Sequence, residues 1–285
     1  MSSAPTTTEP SQSPPSPAPR TAPTRAIFPP IRLWDLPLSP ITMHETLAAI
    51  EQLVEARVPS HFITANLNFA MLAHKKPEVR RVAGDAAFIM ADGMPLVWAA
   101  RLKKTPLPGR VAGSDLIFHL SELAAAKGYR MFFLGGEPGV AETAAVNLRA
   151  KYPGLQIVDT YAPPFRTPTP EERAALIARI REAKPDLLLV AFGQPKGELW
   201  IDEHLHELQV PLCAQVGATF DFAAGRVSRA PRVFQKTGME WTYRLWLEPR
   251  RLTKRYLGNG LFFLNMMARH AVGRPHPRHK TPPHA

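Results

Sequence analysis

The chain has 285 residues, a single cysteine and a formal net charge of +11. One cysteine excludes a disulfide framework within the chain and fits a cytoplasmic setting. No apolar run approaches the ~20 residues that a spanning helix requires; the longest, Leu261–Ala268, carries Asn265.

The charge is unevenly placed. From Arg226 onward there are thirteen Lys/Arg against two Glu, whereas the rest of the chain balances 22 basic with 22 acidic residues. The whole net charge therefore belongs to the C-terminal segment. That asymmetry points to an anionic partner: a membrane surface, a nucleic acid or a phosphorylated ligand.

Residues 1–30 hold nine prolines and ten Ser/Thr. Such a head cannot bury enough apolar surface to offset its ordering entropy and is expected to be disordered. It lacks the apolar core of a secretory signal peptide. Ile31–Pro40 is a short apolar lead-in with one strand-like piece. Thr42-x-x-Glu45 is a capping box that opens a helix with the stripe Leu47, Ile50, Leu53 and Val54. Phe62–Thr64 and Ala86–Met90 read as short buried strands, the first followed by helices at Phe69–His74 and Pro77–Ala83, the second by one at Met94–Leu102. Ser114 opens a helix that Gly128 ends. Strands follow at Tyr129–Leu134, Gln156–Tyr161, Asp186–Phe192 and Leu212–Val216. Between them lie helices at Val140–Tyr152, at Thr169 (a second capping box, with Pro170) to about Ala183, and from Lys196 to about Leu208.

Strands alternating with helices predict an α/β fold: a Rossmann-like parallel sheet of about six strands flanked by helices, followed by a basic helical C-terminal appendage. The expected organisation is a disordered head over 1–30, a core over 31–225, the appendage over 226–270 and a disordered tail over 271–285.

In parallel sheets ligands collect beyond the carboxyl ends of the strands. Thr64, Asn66 and Asp92 all fall there, bringing a hydroxyl, an amide and a carboxylate to one rim. Asp92 at such a place can act as a general base on a hydroxyl; it would equally suit a cap for the Met94 helix. Thr64 and Asn66 suit either a polar ligand or local loop bonds. Arg110 suits a phosphate, or simply solvent. Gly135-Gly136-Glu137-Pro138-Gly139 opens a helix as a phosphate turn does, but it is neither G-x-G-x-x-G nor a P-loop. No Asp-x-Asp pair occurs and no His/Cys set has metal spacing. In the stretch Met239–Tyr256, Trp241, Leu245, Trp246 and Tyr256 can line an apolar face rimmed by Arg244, Arg250, Arg251, Lys254 and Arg255. That suits an interfacial helix at anionic lipid, or an ordinary packing helix.

Taken together and in order, these pieces resemble the WecG/TagA/CpsF bacterial glycosyltransferases. The matching residues are Thr64-x-Asn66, Ala91-Asp92-Gly93-Met94-Pro95, Arg110-Val111-Ala112-Gly113-Ser114-Asp115, Phe133-Leu134-Gly135-Gly136 and Pro195-Lys196-x-Glu198-x-Trp200-Ile201. Phe220-Asp221-x-x-Ala224-Gly225, Arg229-Ala230-Pro231, Glu240-Trp241 and Glu248-Pro249-Arg250-Arg251 complete the set. The resemblance implies an inverting, metal-independent transfer of a sugar, N-acetylmannosamine or glucose, from a UDP-sugar to a polyprenyl-diphosphate-linked sugar. It implies no cofactor and a peripheral position on the inner face of the plasma membrane, with the appendage toward anionic lipid. Homo-oligomer formation is compatible with it, and nucleic acid is not an expected partner.

By the same resemblance Asp92 is the base. Thr64, Asn66, Arg110, Gly135, Gly136, Gln194, Lys196, Arg250 and Arg251 would hold donor and acceptor. Family members commonly read Pro-Lys-Gln-Glu where this chain has Pro195-Lys196-Gly197-Glu198. Gly197 has no side chain to offer a substrate, and Gln194 is the nearest substitute. A different class remains as the alternative: a non-catalytic protein that binds anionic surfaces or nucleic acid through the basic tail, with steep salt dependence. A nicotinamide-dependent oxidoreductase is disfavoured by the missing G-x-G-x-x-G.

Overall fold

Six strands build one parallel sheet: β3 (Ser60–Ala65), β4 (Phe88–Ala91), β5 (Arg130–Gly135), β6 (Gln156–Tyr161), β7 (Leu187–Ala191) and β8 (Leu212–Gln215), in the order β4-β3-β8-β7-β5-β6. The computed structural model describes residues 28–272 apart from 232, 235 and 236. The disorder expected for most of the head and for all but the first two residues of the tail lies outside the described residues. Every strand carries apolar residues on both faces, as a sheet covered on both sides must. Phe62, Phe88, Phe133 and Leu189 face one helical layer, while Ile63, Ile89, Phe132 and Leu188 face the other.

The first layer consists of α1 (Met43–Ala56), α5 (Gly113–Lys127), α6 (Val140–Lys151) and the short α9 (Thr219–Ala223). The second holds α2 (Leu67–Lys75), α3 (Pro77–Asp85), α4 (Met94–Leu102), α7 (Pro170–Ala183) and α8 (Lys196–Leu208). Both predicted capping boxes form: Thr42 with Glu45 and Thr169 with Glu172 each exchange the reciprocal bonds. The first hairpin-sized loop of the sheet, between β3 and β4, is replaced by two helices, so the chain returns in the same direction.

Two local features differ from expectation. The lead-in is a two-stranded antiparallel hairpin, β1 (Ile31–Leu33) and β2 (Leu36–Leu38), rather than one strand. Its tight turn places Trp34 at φ 56°, and Pro37 is tolerated because the ladder has a free edge. The C-terminal segment is two helices, because Pro249 cannot continue the first: α10 (Glu240–Leu247) and α11 (Pro249–Ala271).

The hairpin explains how α11 is held. Leu33, Trp34, Leu36 and Leu38 are buried in one cluster with Phe69 and Ala73 of α2 and with Phe262 and Met266 of α11. Trp34 meets Phe262 edge-on at 5.3 Å and Phe263 at 6.3 Å, a geometry the ring quadrupoles favour. Asp35 Oδ2 lies 2.7 Å from His74 Nδ1, tying the turn to α2. The appendage is therefore seated on the core by apolar packing. Trp34→Ala is expected to cost about 3–5 kcal/mol and to expose α11 to limited proteolysis before the core. Unchanged denaturation and proteolysis would show that the hairpin does not anchor the helix.

Candidate active site

Asp92 is the first residue beyond β4. Its N–H donates to Ala65 O of β3 at 2.7 Å. The Val111 N–H donates to Ala91 O at 3.0 Å, drawing the preceding loop back over the strand end and setting the start of α5 beside the aspartate. The Gly113 amide then hydrogen-bonds the Asp92 carboxylate. A Cβ at Gly113 would lie 3.3 Å from Asp92 Oδ2, 3.6 Å from Thr219 Oγ1 and 3.9 Å from Thr64 Cγ2. The ends of β3, β4 and β8 thus converge on this one glycine. The capping role is not what Asp92 performs: α4 has no side-chain cap, and its cap residue is Gly93.

Burial is the largest influence on the Asp92 carboxyl and pushes its pKa up to about 6. Arg110 opposes the rise, as do the Gly113 amide and Arg244, while Glu240 adds to it. Two opposing tendencies meet here: desolvation disfavours the charged form, whereas cations and an amide at a helix start favour it.

A second layer surrounds the carboxylate. Arg110 Nη1 donates to Glu240 Oε2 at 2.7 Å, with both side chains mostly buried. Arg229 Nε lies 3.5 Å from Glu240 Oε1. The Arg229 guanidinium also clasps Asp115 through both terminal nitrogens, Nη2 to Oδ2 at 3.2 Å. Arg229 and Arg244 lie over the Phe222 ring, with guanidinium carbons 5.8 and 5.4 Å from its centre. Three arginines and three carboxylates (Asp92, Asp115 and Glu240) therefore form one mixed cluster. Arg229, Glu240 and Arg244 come from the C-terminal segment.

The other expected residues divide. Thr64 is buried, and its hydroxyl donates to Gln215 O at 3.2 Å. Asn66 caps α2, its Oδ1 accepting from Phe69 N at 3.1 Å, as its local-bonding alternative anticipates. Arg110 is an ion-pair partner rather than a solvated loop residue. Gln194 joins the rim: its Nε2 donates to Thr64 O and its Oε1 accepts from Asn68 Nδ2, both at 3.3 Å. Gly135 and Gly136 form a tight turn at φ 96° and 83°. A Cβ on Gly135 would lie 2.9 Å from the Phe192 ring, and the Gly136 amide is already spent on Ala191 O. The loop after them borders an open cleft of about 510 Å³ lined by Glu137, Pro138, Phe165 and Arg226. Lys196 is exposed at the start of α8, and Arg250 is exposed on the first turn of α11. The Arg251 side chain lies outside the described residues.

The space beside Gly197 is filled from across the sheet. A Cβ there would fall 2.0 Å from Gln215 Oε1, which accepts from Phe192 N at 3.3 Å. Only glycine admits the Gln215 amide at this spot. Among the described residues, no three His, Cys, Asp or Glu side chains are grouped to hold a metal ion. Arg229, Glu240, Arg244, Gln215 and Thr219 were not singled out as site residues by the sequence. Arg229-Ala230-Pro231 and Glu240-Trp241 were among the matching motifs, but no spacing ties them to Arg110.

A six-stranded parallel sheet covered by helices on both faces makes this an α/β protein, with a half-buried carboxylate and clustered guanidinium groups at the carboxyl rim where ligands of such sheets bind. The model of the glycosyl transferase WecG/TagA/CpsF family matches residues 31–276, and the chain belongs to that family. Membership makes the protein a glycosyltransferase of cell-envelope polysaccharide synthesis, working in general terms between a sugar donor and a lipid-linked acceptor.

The raised pKa of Asp92 carries a stability consequence. The folded value, about 6, exceeds the ordinary 3.8, so the folded state binds the proton more tightly than the unfolded chain. The penalty is absent below pH 3.8, grows as pH rises toward 6 and is complete above it. Asp92→Asn is therefore expected to stabilise the fold at pH 7 by on the order of 2–3 kcal/mol and to leave it unchanged near pH 3.5. Denaturant titrations at the two pH values check this; equal effects at both would show that the carboxylate carries no burial cost.

Proposed function

We propose that the protein moves a hexose, N-acetylmannosamine or glucose, from a UDP-sugar to a polyprenyl-diphosphate-linked sugar by single displacement with inversion and without a metal ion. The observation that supports this most is the half-buried Asp92 carboxyl with Arg110, Arg229 and Arg244 around it. The acceptor hydroxyl attacks the anomeric carbon and passes its proton to Asp92. The anomeric C–O bond breaks, and UDP departs with the electron pair. Its diphosphate charge is met by the guanidinium groups, whose planar forks suit phosphate oxygens. With a pKa of about 6, Asp92 is mostly ionised at neutral pH and close enough to it to serve as a base. Thr64, Asn66 and Gln194 hold the sugars, Gly135 and Gly136 shape the approach to the cleft, and Lys196, Arg250 and Arg251 add positive charge toward the lipid diphosphate.

Transfer is expected to fall as pH drops through about 6, and Asp92→Asn is expected to retain UDP binding while losing at least a thousandfold in rate. A panel of UDP-sugars offered with a lipid-diphosphate sugar acceptor measures both. Turnover by Asp92→Asn near the wild-type rate would remove the base from the mechanism.

The peripheral, inner-face location rests on α10 and α11. No helix among the described residues is long and apolar enough to cross a membrane. Leu257, Leu261 and Leu264 are exposed at helical spacing along α11, and Trp246 is 77% exposed on α10. Lys254 and Arg255 are exposed beside them. An apolar stripe edged by cations suits the interface of an anionic bilayer. Trp241, exposed on α10, packs edge-on against Tyr256 of α11 at 6.0 Å, two residues read from the sequence as lining one apolar face. Replacing the three leucines by glutamine is expected to abolish co-sedimentation with phosphatidylglycerol vesicles. Retained sedimentation, or stronger retention on RNA than on vesicles, would overturn the lipid assignment in favour of a nucleic-acid surface.

A further inference from the structure

Glu240 places a negative charge among the guanidinium groups that the proposed transfer uses for a diphosphate. It opens α10, and its side chain is only 11% exposed. Gly238, two residues before it, sets it there. A Cβ at Gly238 would lie 2.4 Å from Met94 Cγ and 3.1 Å from Trp98 Cζ2, and its φ is 75°. Glycine thus lets the turn into α10 rest on α4, the helix that leaves the Asp92 strand end. The backbone delivers the Glu240 carboxylate to the rim.

The two carboxylate oxygens are divided between two guanidinium groups. Oε2 accepts from Arg110 Nη1 at 2.7 Å, and Oε1 lies 3.5 Å from Arg229 Nε. The first is a close charge-assisted bond; the second is longer than such bonds usually are. Asp115 clasps Arg229 through both terminal nitrogens, so it can keep that guanidinium oriented without Glu240. Oxygens of one anion spread over two arginines are also what a phosphate group offers. Charge adds a reason for exchange. Asp115 and Glu240 match Arg110 and Arg229 in charge, and Asp92 stands near enough for Glu240 to resist its ionisation. A diphosphate entering beside a retained Glu240 would leave this cluster in negative excess where water screens poorly. A diphosphate that displaces Glu240 inherits a pre-oriented pair of cations.

We infer that Glu240 is a resident counter-anion, a positioning residue that holds Arg110 and Arg229 at the rim until the diphosphate of the donor takes them over, and that regains them as UDP leaves. The inference rests on the sugar-transfer reading for the identity of the anion, but not for the exchange itself. A fixed structural ion pair makes the opposite prediction: without Glu240, Arg110 would lose its orientation and anions would bind more weakly.

The test measures binding of UDP, and separately of inorganic pyrophosphate, to the full chain by titration calorimetry in wild type, Glu240→Gln and Glu240→Asp. Glutamine keeps the volume and removes the charge; aspartate keeps the charge and draws it back by one methylene. The dissociation constant of UDP is expected to fall about tenfold in Glu240→Gln and about threefold in Glu240→Asp, as a like charge is removed or withdrawn from the entering anion. The rise in melting temperature on adding UDP is expected to be larger in Glu240→Gln than in wild type, because an uncompensated Arg110 is costly until an anion meets it. Where UDP binds, unchanged or weaker UDP binding in Glu240→Gln would overturn the exchange; turnover of a UDP-sugar by the wild type then leaves the sugar-transfer reading standing. Where UDP does not bind and no UDP-sugar is turned over, the sugar-transfer reading fails and pyrophosphate decides the exchange alone. Tighter pyrophosphate binding in Glu240→Gln would uphold it, and equal, weaker or absent binding would overturn it. Should Glu240→Gln not fold, Glu240→Asp takes its place: anion binding no tighter than in wild type would overturn the inference.

Discussion

The Asp92 carboxylate is partly withdrawn from water at the rim of the sheet, and the site depends on the charges that make this tolerable. Left alone, a buried carboxylate would take up a proton. Arg110 and Arg244, with the Gly113 amide at the start of α5, hold the pKa near 6 rather than higher. Glu240 works the other way while pairing Arg110 and approaching Arg229. A buried arginine without a carboxylate would be as costly as the reverse. The cluster is therefore a mutual arrangement in which each charge is tolerated because of its neighbours, and the proton affinity of Asp92 results from the balance.

Chain topology explains why the cluster includes the C-terminal segment. The core alone brings Asp92, Arg110 and Asp115 together through β4, the following loop and α5. It supplies one cation for two carboxylates. Arg229 and Arg244 arrive with the segment that follows α9, and Glu240 enters with them. The same segment carries the exposed leucines of α11, and its inner side is seated against Trp34 and α2 by apolar packing. One polypeptide stretch thus completes the charge cluster on one side and presents an amphipathic surface on another. On the proposed contact of these helices with lipid, the rim that they complete would lie close to the bilayer.

A different kind of constraint governs the far side of the rim. Gly197 admits the Gln215 amide, and hydrogen bonds join Gln194 to Asn68 and to Thr64 at the strand ends. The two halves meet at Thr64, whose carbonyl receives Gln194 and whose methyl group borders the Asp92 side of Gly113. Motion of β3 would disturb both, so the position of β3 between β4 and β8 serves the site as well as the sheet.

Local physics was legible in the amino-acid sequence. Short apolar stretches marked the strands, most continuously Phe88–Ala91, Met131–Leu134 and Leu187–Ala191, because both faces of a parallel sheet are covered. Thr42-x-x-Glu45 and Thr169-Pro170-x-Glu172 announced helix starts because capping bonds span three residues. Asp92 could be placed at a strand tip by its neighbours alone, and the ordered motifs from Thr64 to Arg251 pointed to the family. Tertiary structure alone decided what each polar group touches. That Arg110 meets Glu240, 130 positions away, that Arg229 and Arg244 rather than exposed Arg250 surround the carboxylate, and that Gln215 fills the space beside Gly197 are long-range juxtapositions. They follow from strand order and from the way α10 and α11 fold back onto the core. A periodic pattern reports which face of an element is buried, but it carries no information about which distant side chain lies opposite.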